Sequence, residues 1–284
     1  MISSKELEKK RKSYKSILGI VKAMKALSAA NIRKGGAALN HTRRYRELVD
    51  GAASAALSLP GVSLLPHGGR KLLVAFGSQY GLCGAFNERV LKETEDSVAA
   101  LPEVVGLVYV GKRLSDRAPD LPGLSAWKLD APGSIEGIGD AMNALLSLVY
   151  EKYKSGEFDE LYFISPEFTD ESLSVMKRKV LPPDFRPGVS LDDVPLVYID
   201  PRELMEGLIE EHLYIYLYST ALEAIIAENE TRMRSMDFAA KNIKKRVDDL
   251  TQSFNYAFQE EVTGELLEII SGYEALRKSK NKGP

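Results

Sequence analysis

A glycine-rich segment has the residue types and the position that phosphate binding requires. Residues 77–87 (GSQYGLCGAFN) lie between an apolar run at 71–76 and a stretch of helical spacing at 87–100. Backbone amides of such a turn, with the N-terminus of the next helix, can bind an anion. The segment lacks the Gly-Lys-Ser/Thr ending of a P-loop and the glycine spacing of a dinucleotide-binding loop. We therefore favour a tight strand-to-helix connection with glycines at left-handed backbone angles, and keep a nucleotide-dependent enzyme as an alternative.

The other reactive residue types form no recognisable catalytic or metal site. Cys83 is the one cysteine, which excludes an internal disulfide and fits a reducing compartment. Its apolar setting is more typical of inert packing than of a reactive thiol. His41, His67 and His212 are far apart and share no metal-ligand spacing. No Ser/His/Asp set and no paired carboxylates stand out, so we expect no catalytic residue, no metal and no cofactor.

The middle of the chain, residues 70–200, alternates strand and helix patterns. Strand-like runs occupy 71–76, 104–110, 125–129 and 160–164, and helical spacing occupies 87–100, 112–117 and 135–153. The alternating residues 172–181 can pair with 160–164 as a hairpin. This order predicts a Rossmann-like α/β domain with a mostly parallel sheet.

An apolar seam runs along the C-terminal part of the chain. Its positions step by four and three residues over five heptads, with no proline between Pro201 and Pro284 at the end of the sequence. The apolar members are Leu222, Ile226, Met233, Met236, Ile243, Val247, Leu250 and Phe254, and Asn229, Ala240 and Ala257 complete the series. A single helix cannot bury such a stripe on itself, so the seam requires a partner helix.

The N-terminal residues supply a second long helix. Residues 3–58 contain no proline, and seven-residue spacing relates Leu7, Tyr14, Ile17, Val21, Met24 and Ser28. Because a compact α/β domain returns the chain to where it left, we expect the two helices to pack as an antiparallel coiled coil. The predicted fold is thus mixed α/β, with coiled-coil helices at 1–60 and 201–278 flanking the α/β domain at 70–200.

Charge is distributed unevenly although the net charge is only −2. Residues 1–46 carry thirteen Lys/Arg and two acids, and residues 203–276 carry fifteen acids and six Lys/Arg. We expect the basic helix to lie on the acidic one. We favour this arrangement over binding of nucleic acid or lipid by the basic residues at 9–15. No apolar run approaches the roughly 18 residues that span a bilayer, and the N-terminus has no signal-peptide core. The sequence therefore predicts a cytoplasmic protein.

Three segments resemble the γ subunit of F-type ATP synthases. Gly19–Met24 (GIVKAM) is similar to the family's KITKAM, and Gly81–Asn87 (GLCGAFN) to its GLCGGFN. The third segment combines residues 227–239 (AENETRMRSMDFA) with 263–269 (TGELLEI), which are similar to the family's ENxxRMxAMxxA and TQELxEI. All three occur in order over nearly the whole chain, which makes the resemblance specific.

The resemblance implies a central-stalk rotor that transmits rotation between a membrane c-ring and a catalytic α3β3 ring, coupling ion translocation to ATP synthesis or hydrolysis. It implies the α and β subunits, the ε subunit and the c-ring as partners, and no nucleic acid. The rotor itself would be non-catalytic. It would be a peripheral protein on the cytoplasmic side of a prokaryotic cell membrane, reaching the membrane only through the c-ring.

Matching motif positions imply which residues contact the β subunit: Lys22, Met24, Arg232, Gln259, Thr263 and Glu265. The chain departs from the family at Gly19, at Gln79–Tyr80 and at Phe258, where the family has Lys, Asp-Arg or Asp-Gln, and Arg. These departures point to a variant rotor, such as that of an alternative or accessory F-type enzyme. The alternative function is a structural coiled-coil scaffold with an unrelated α/β head.

Overall fold

A computed structural model describes residues 3–62, 69–169, 172–185 and 197–280. The helices are α1 (Ser4–Ala56), α2 (Phe86–Ala100), α3 (Lys112–Ser115), α4 (Ile138–Lys154) and α5 (Pro201–Lys280). The strands are β1 (Lys71–Phe76), β2 (Val104–Val110), β3 (Ser125–Leu129), β4 (Glu160–Thr169) and β5 (Ser172–Leu181). The expected mixed α/β class with two long terminal helices is confirmed. The division into domains at 1–60, 70–200 and 201–278 stays a prediction, and His67 lies outside the described residues.

The five strands form one sheet in the order β3-β2-β1-β4-β5. Strands β1 to β4 are parallel to one another, and β5 runs antiparallel to β4, which confirms the predicted hairpin. Strand β4 continues to Thr169, beyond the apolar run that ends at Ile164. Its pairing with β1 stops at Ile164, so the missing N–H of Pro166 removes no hydrogen bond to β1. The polar extension was not predicted because β5 alone stabilises it.

The protein comprises two compact units. The sheet unit is Leu27–Ser235, and the helical unit is Met1–Ala26 with Met236–Pro284. In the sheet unit, α4 and α5 cover one face of the sheet, and α2 and α3 cover the other. Every residue of β1 is buried, which is typical of a central parallel strand covered on both faces. Helix α4 buries Ile138, Met142, Leu145 and Val149, which share one face at helical spacing.

Helices α1 and α5 pack closely and antiparallel within the sheet unit. A Cβ atom on Gly35 would lie 2.6 Å from Cγ1 of Ile226, so the two backbones approach closely here. One turn away, Asn31 Nδ2 donates to Asn229 Oδ1 at 3.3 Å. Farther along, Nδ1 of the buried His212 lies 2.9 Å from Asp50 Oδ1. Of the seam positions in this unit, Leu222 and Asn229 are buried and Ile226 and Met233 are half-buried.

The helical unit consists of the first turns of α1 against the C-terminal part of α5. Ser4 Oγ donates to Glu261 Oε2 at 2.5 Å, and the Arg11 guanidinium lies 4.7 Å from the centre of the Phe254 ring. The covered positions on α5 are the seam positions: Met236 and Val247 are buried, and Ala240, Ile243, Leu250, Phe254 and Ala257 are half-buried.

The matching seam on α1 differs from the predicted series at Ile17, and Tyr14, another member of that series, is 36% exposed. Leu7 and Val21 are buried and Leu18 is half-buried, whereas Ile17 is 46% exposed. Steps of four and three from Leu7 lead through Tyr14 to Leu18 and Val21. The sequence prediction placed Ile17 in this series by its seven-residue spacing from Met24, and the adjacent Leu18 is also apolar.

Charge pairing between α1 and α5 is sparser than the sequence predicts. Among the described side chains of the helical unit, Lys25 with Asp237 is the ion pair that joins the two helices. Lys10 and Lys12 pair with glutamates of α1 itself. The heptad seam places most charged residues on the outer faces, where they remain exposed. No helix in the described ranges is apolar over a length that could cross a membrane.

Candidate functional site: the glycine-rich turn on helix α5

The connection from β1 to α2 is tight because it packs against two helices. A Cβ atom on Gly77 would lie 2.3 Å from Cβ of Leu114 in α3. Gly84 has a φ of +58°, and a Cβ there would lie 3.3 Å from Ser235 Oγ of α5. Glycine is therefore needed at Gly77 for space and at Gly84 for backbone angle, which is the structural interpretation favoured from the sequence.

A buried polar knot closes the base of the turn. Ser78 N donates to Asn87 Oδ1 at 3.0 Å, and Asn87 Nδ2 donates to Ser78 Oγ at 2.8 Å. The Cys83 thiol donates to the same Ser78 oxygen at 3.5 Å and is only 3% exposed. Burial raises the pKa of this thiol, so Cys83 is held in the protonated, poorly reactive form.

The side chain of Gln79 ties together the ends of three parallel strands. Its Oε1 accepts from Lys112 N at 3.2 Å, after β2, and from Ala131 N at 2.9 Å, after β3. Its Nε2 donates to Asp130 Oδ1 at 3.2 Å. In open α/β sheets, ligands bind at this carboxyl edge of the strands. Here the side-chain oxygen of Gln79 already accepts hydrogen bonds from backbone N–H groups that a phosphate would need. This weighs against a nucleotide-dependent enzyme.

Arg232 of α5 holds the tip of the turn by its carbonyl oxygens. Its Nε donates to Gly81 O at 3.3 Å, and its Nη2 donates to Tyr80 O at 3.3 Å and to Gly81 O at 3.2 Å. The same Nη2 donates to Glu228 Oε1, one helical turn earlier. Arg232 is 8% exposed and Glu228 is 6% exposed. Burial raises the pKa of the Glu228 carboxyl, and the Arg232 guanidinium opposes part of that rise.

The tip of the turn presents two large side chains to solvent. Leu82 is 60% exposed and has a φ of +66°, a left-handed conformation that is uncommon for a residue with a Cβ. Tyr80 is also exposed. The turn therefore combines a rigid, hydrogen-bonded base with an exposed apolar tip.

The residues predicted to contact a β subunit do not form one cluster. Lys22, Gln259, Thr263 and Glu265 are exposed, and Met24 is half-buried, all in the helical unit. Thr263 Oγ1 donates to Gln259 O at 2.7 Å along the helix. Arg232 lies in the sheet unit and is buried by the turn. Contact of these six residues with a β subunit stays a prediction.

Sequence reasoning did not identify two residues that shape the turn. Gln79 stood out only as a departure from the resembling family, because its partners at residues 112 and 130–131 are distant in the chain. Glu228 lies in the segment 227–239, which resembles a family motif. Its spacing of four residues from Arg232 is the signal that could have predicted the pair. Over the part of the chain that the structure describes, no group of three His, Cys, Asp or Glu is placed to hold a metal ion.

Comparison with known proteins assigns the chain to a family. A family model described as ATP synthase matches residues 3–276. The ATP synthase gamma chain of Sphingopyxis alaskensis is 31% identical over 296 residues, covering 97% of this chain and 100% of that one. The chain belongs to the ATP synthase gamma chain family. The gamma chain of Bdellovibrio bacteriovorus is similar at 29% identity, covering 98% of this chain and 100% of that one.

Solved structures share the fold of this chain. A chain of the Euglena gracilis mitochondrial ATP synthase (OSCP/F1/c-ring) superposes with a TM-score of 0.64 at 16% identity, covering 99% of this chain and 97% of that one. A chain of the Tetrahymena thermophila mitochondrial ATP synthase central stalk/c-ring gives a TM-score of 0.58 at 19% identity, covering 78% and 99%. Gamma chains are part of the ATP synthase complex, and membership of this family disfavours an unrelated coiled-coil scaffold.

Proposed function

We propose that this chain is the central-stalk rotor of an F-type ATP synthase, transmitting rotation between the c-ring and the α3β3 ring. One observation carries the proposal: the helical unit leaves apolar side chains uncovered where α5 continues past the start of α1. Ser4 of α1 lies level with Glu261 of α5, and every residue from 261 to 273 is exposed. The large apolar residues in that segment are Val262, Leu266, Leu267, Ile269, Ile270 and Tyr273.

The directions of these side chains fit enclosure by a ring better than docking on one flat partner. Successive residues of a helix point about 100° apart, so the pairs Leu266–Leu267 and Ile269–Ile270 cover a wide sector of the helix surface. An exposed apolar surface of this kind marks a protein–protein interface. A ring of subunits around α5 would cover it from several sides.

The exposed polar residues of the helical unit supply the contacts that a rotor needs. Lys22, Gln259, Thr263 and Glu265 are accessible to a β subunit. An asymmetric shaft meets three equivalent β subunits in different ways, so each β subunit is held in a different conformation. Rotation of the shaft would then move each β site through states of different nucleotide affinity.

The sheet unit would stand with the ε subunit on the c-ring. The chain would be a peripheral subunit on the cytoplasmic side of a prokaryotic cell membrane, reaching that membrane only through the c-ring. Catalysis would belong to the β subunits. The amides at the sheet edge, which a phosphate would need, are already bound by Gln79, and this supports a non-catalytic role.

Two departures from the family support a variant rotor, such as that of an alternative or accessory F-type enzyme. Phe258 stacks on Phe254 with ring centres 5.8 Å apart and 16° between the planes. Gly19 has open space around the position of a Cβ. An aromatic ring and a hydrogen atom thus stand where the family has cations, so the partner surface should be less acidic at both places.

Reconstitution tests this proposal. The chain is mixed with the α and β subunits of its own organism, and ATP hydrolysis and bead rotation are measured. We expect a stable complex whose attached bead rotates during hydrolysis. Replacing Leu266 and Ile269 by Asp should abolish assembly, because it places two charges on the surface that the ring covers.

A matched variant, Ser271→Asp, adds a charge in the same exposed segment but removes no apolar side chain, and it should still assemble. If the wild-type chain fails to bind the ring and instead self-associates, the rotor proposal is wrong and the scaffold alternative is favoured.

A further inference from the structure

We propose that Arg232 is a positioning residue, which fixes the backbone of the turn at residues 80–82 so that the turn presents Leu82 to the α3β3 ring. The second half of this inference rests on the proposed rotor function. The first half concerns only the isolated chain.

The guanidinium of Arg232 is placed to act on the turn and not on an external partner. Three of its hydrogen bonds go to the carbonyl oxygens of Tyr80 and Gly81, between 3.2 and 3.3 Å. Only 8% of the residue is exposed, so a partner subunit has little access to it. A planar guanidinium can donate to two neighbouring carbonyls at once, which a lysine ammonium does less well.

Glu228 holds Arg232 in this position from within α5. The two residues are one helical turn apart, and Arg232 donates to the Glu228 carboxylate. Buried charges of this kind are retained where they are paired and hydrogen-bonded. The helix therefore carries a prearranged pair in which Nε and Nη2 of Arg232 face the turn while Nη2 also binds Glu228.

The turn exposes Leu82 in an unfavourable backbone conformation. Its left-handed φ of +66° is unfavourable for leucine, and with 60% of the side chain exposed, burial within the chain compensates little of that cost. The conformation is imposed from both sides, by Arg232 at residues 80–81 and by the Ser78–Asn87 knot below Cys83. A turn whose backbone is already held in one conformation has lost that entropy before a partner arrives, which favours binding.

The single cysteine provides a direct readout of the first half. Cys83 lies next to the tip, so release of the turn should expose its thiol. We expect Arg232→Met to raise the rate of iodoacetamide alkylation of the native full chain by about ten- to a hundredfold, from loss of hydrogen bonds to a charged group. Arg232→Lys should give an intermediate rate. Helicity by circular dichroism should not change.

Arg234→Met is the matched control. Arg234 is exposed two residues away, with its guanidinium 4.6 Å from the centre of the Phe168 ring. Its loss should change the alkylation rate by less than about twofold, since it donates no bond to the turn. If Arg232→Met alkylates at the wild-type rate, Arg232 does not hold the turn and the inference is overturned.

Leu82→Gly tests the second half. Glycine adopts the positive φ without strain, so the turn should keep its shape and Cys83 should stay protected within about threefold. In the reconstituted complex, we expect ATP-driven rotation to lose torque to a similar degree in Leu82→Gly, Arg232→Met and the double variant, because all three remove one contact. Full torque in Leu82→Gly would refute presentation of Leu82. Failure of the wild-type chain to assemble would instead reject the rotor function and leave the alkylation result intact.

Discussion

Replacement of Gly35 by alanine measures how closely α1 approaches α5 in the sheet unit. An added Cβ would lie 2.6 Å from Cγ1 and 3.0 Å from Cδ1 of Ile226, both shorter than van der Waals contact. The neighbouring Gly36 has nothing within 4 Å of the same atom. The two glycines share a helix and a sequence context, so Gly36→Ala is a matched control for the change in helix propensity.

The two substitutions should change stability by different amounts. Alanine is favoured over glycine in a helix interior by about 1 kcal/mol, so Gly36→Ala should raise the free energy of unfolding by about that amount. Gly35→Ala gains the same helix propensity, but overpacking against Ile226 should cost about 1–3 kcal/mol. We therefore expect the two variants to differ by about 1–3 kcal/mol, with Gly35→Ala the less stable.

Urea unfolding followed by circular dichroism provides the assay, with Ile226→Ala added to form a double-mutant cycle. Removing Cγ1 and Cδ1 of Ile226 should make Gly35→Ala favourable in that background, because the clashing atoms are gone. Equal stabilisation by Gly35→Ala and Gly36→Ala in the wild-type background would refute the close approach of the two helices.

Two further perturbations test the ion pair and the polar knot. The side chains of Lys25 and Lys241 lower the pKa of Asp237 to about 2, so its contribution to stability is present above the ordinary value of 3.8 and is lost as pH falls from there through about 2. Asp237→Asn should flatten the loss of thermal stability between pH 4 and pH 2, and an unchanged profile would show that the pair does not act in solution. Asn87→Ala should lower the free energy of unfolding by about 2 kcal/mol in urea, because it leaves the buried Ser78 N–H without an acceptor. A loss below about 0.5 kcal/mol would mean that another group takes over this bond.

The strands and helices were predictable where one physical signal dominates. Residues 71–76 and 106–110 are buried between both faces of a parallel sheet, and residues 104–105 are half-buried, so both strands are continuous apolar runs. The α5 seam was readable because steps of four and three persist over many turns. Where two neighbouring residues are apolar, as at Ile17 and Leu18, the sequence does not tell which one faces the partner helix.

Features that depend on distant partners were not predictable. The polar end of β4 is a strand only because β5 pairs with it. The expected charge pairing between α1 and α5 followed from summed charge, which ignores the faces on which the charged residues lie. Gln79 and Arg232 bind backbone groups that are at least 33 and 151 residues away in sequence, and the fold alone determines that they meet.

The burial of Cys83 makes this chain suitable for site-specific labelling with a fluorophore. Its thiol is nearly inaccessible, and burial raises its pKa, so maleimide dyes should react with it slowly at neutral pH. A cysteine placed at an exposed position such as Ser271 would then accept a fluorophore selectively, without prior removal of the native one. Angular motion at one end of α5 could be followed by polarised emission from a single dye, in a protein otherwise unchanged.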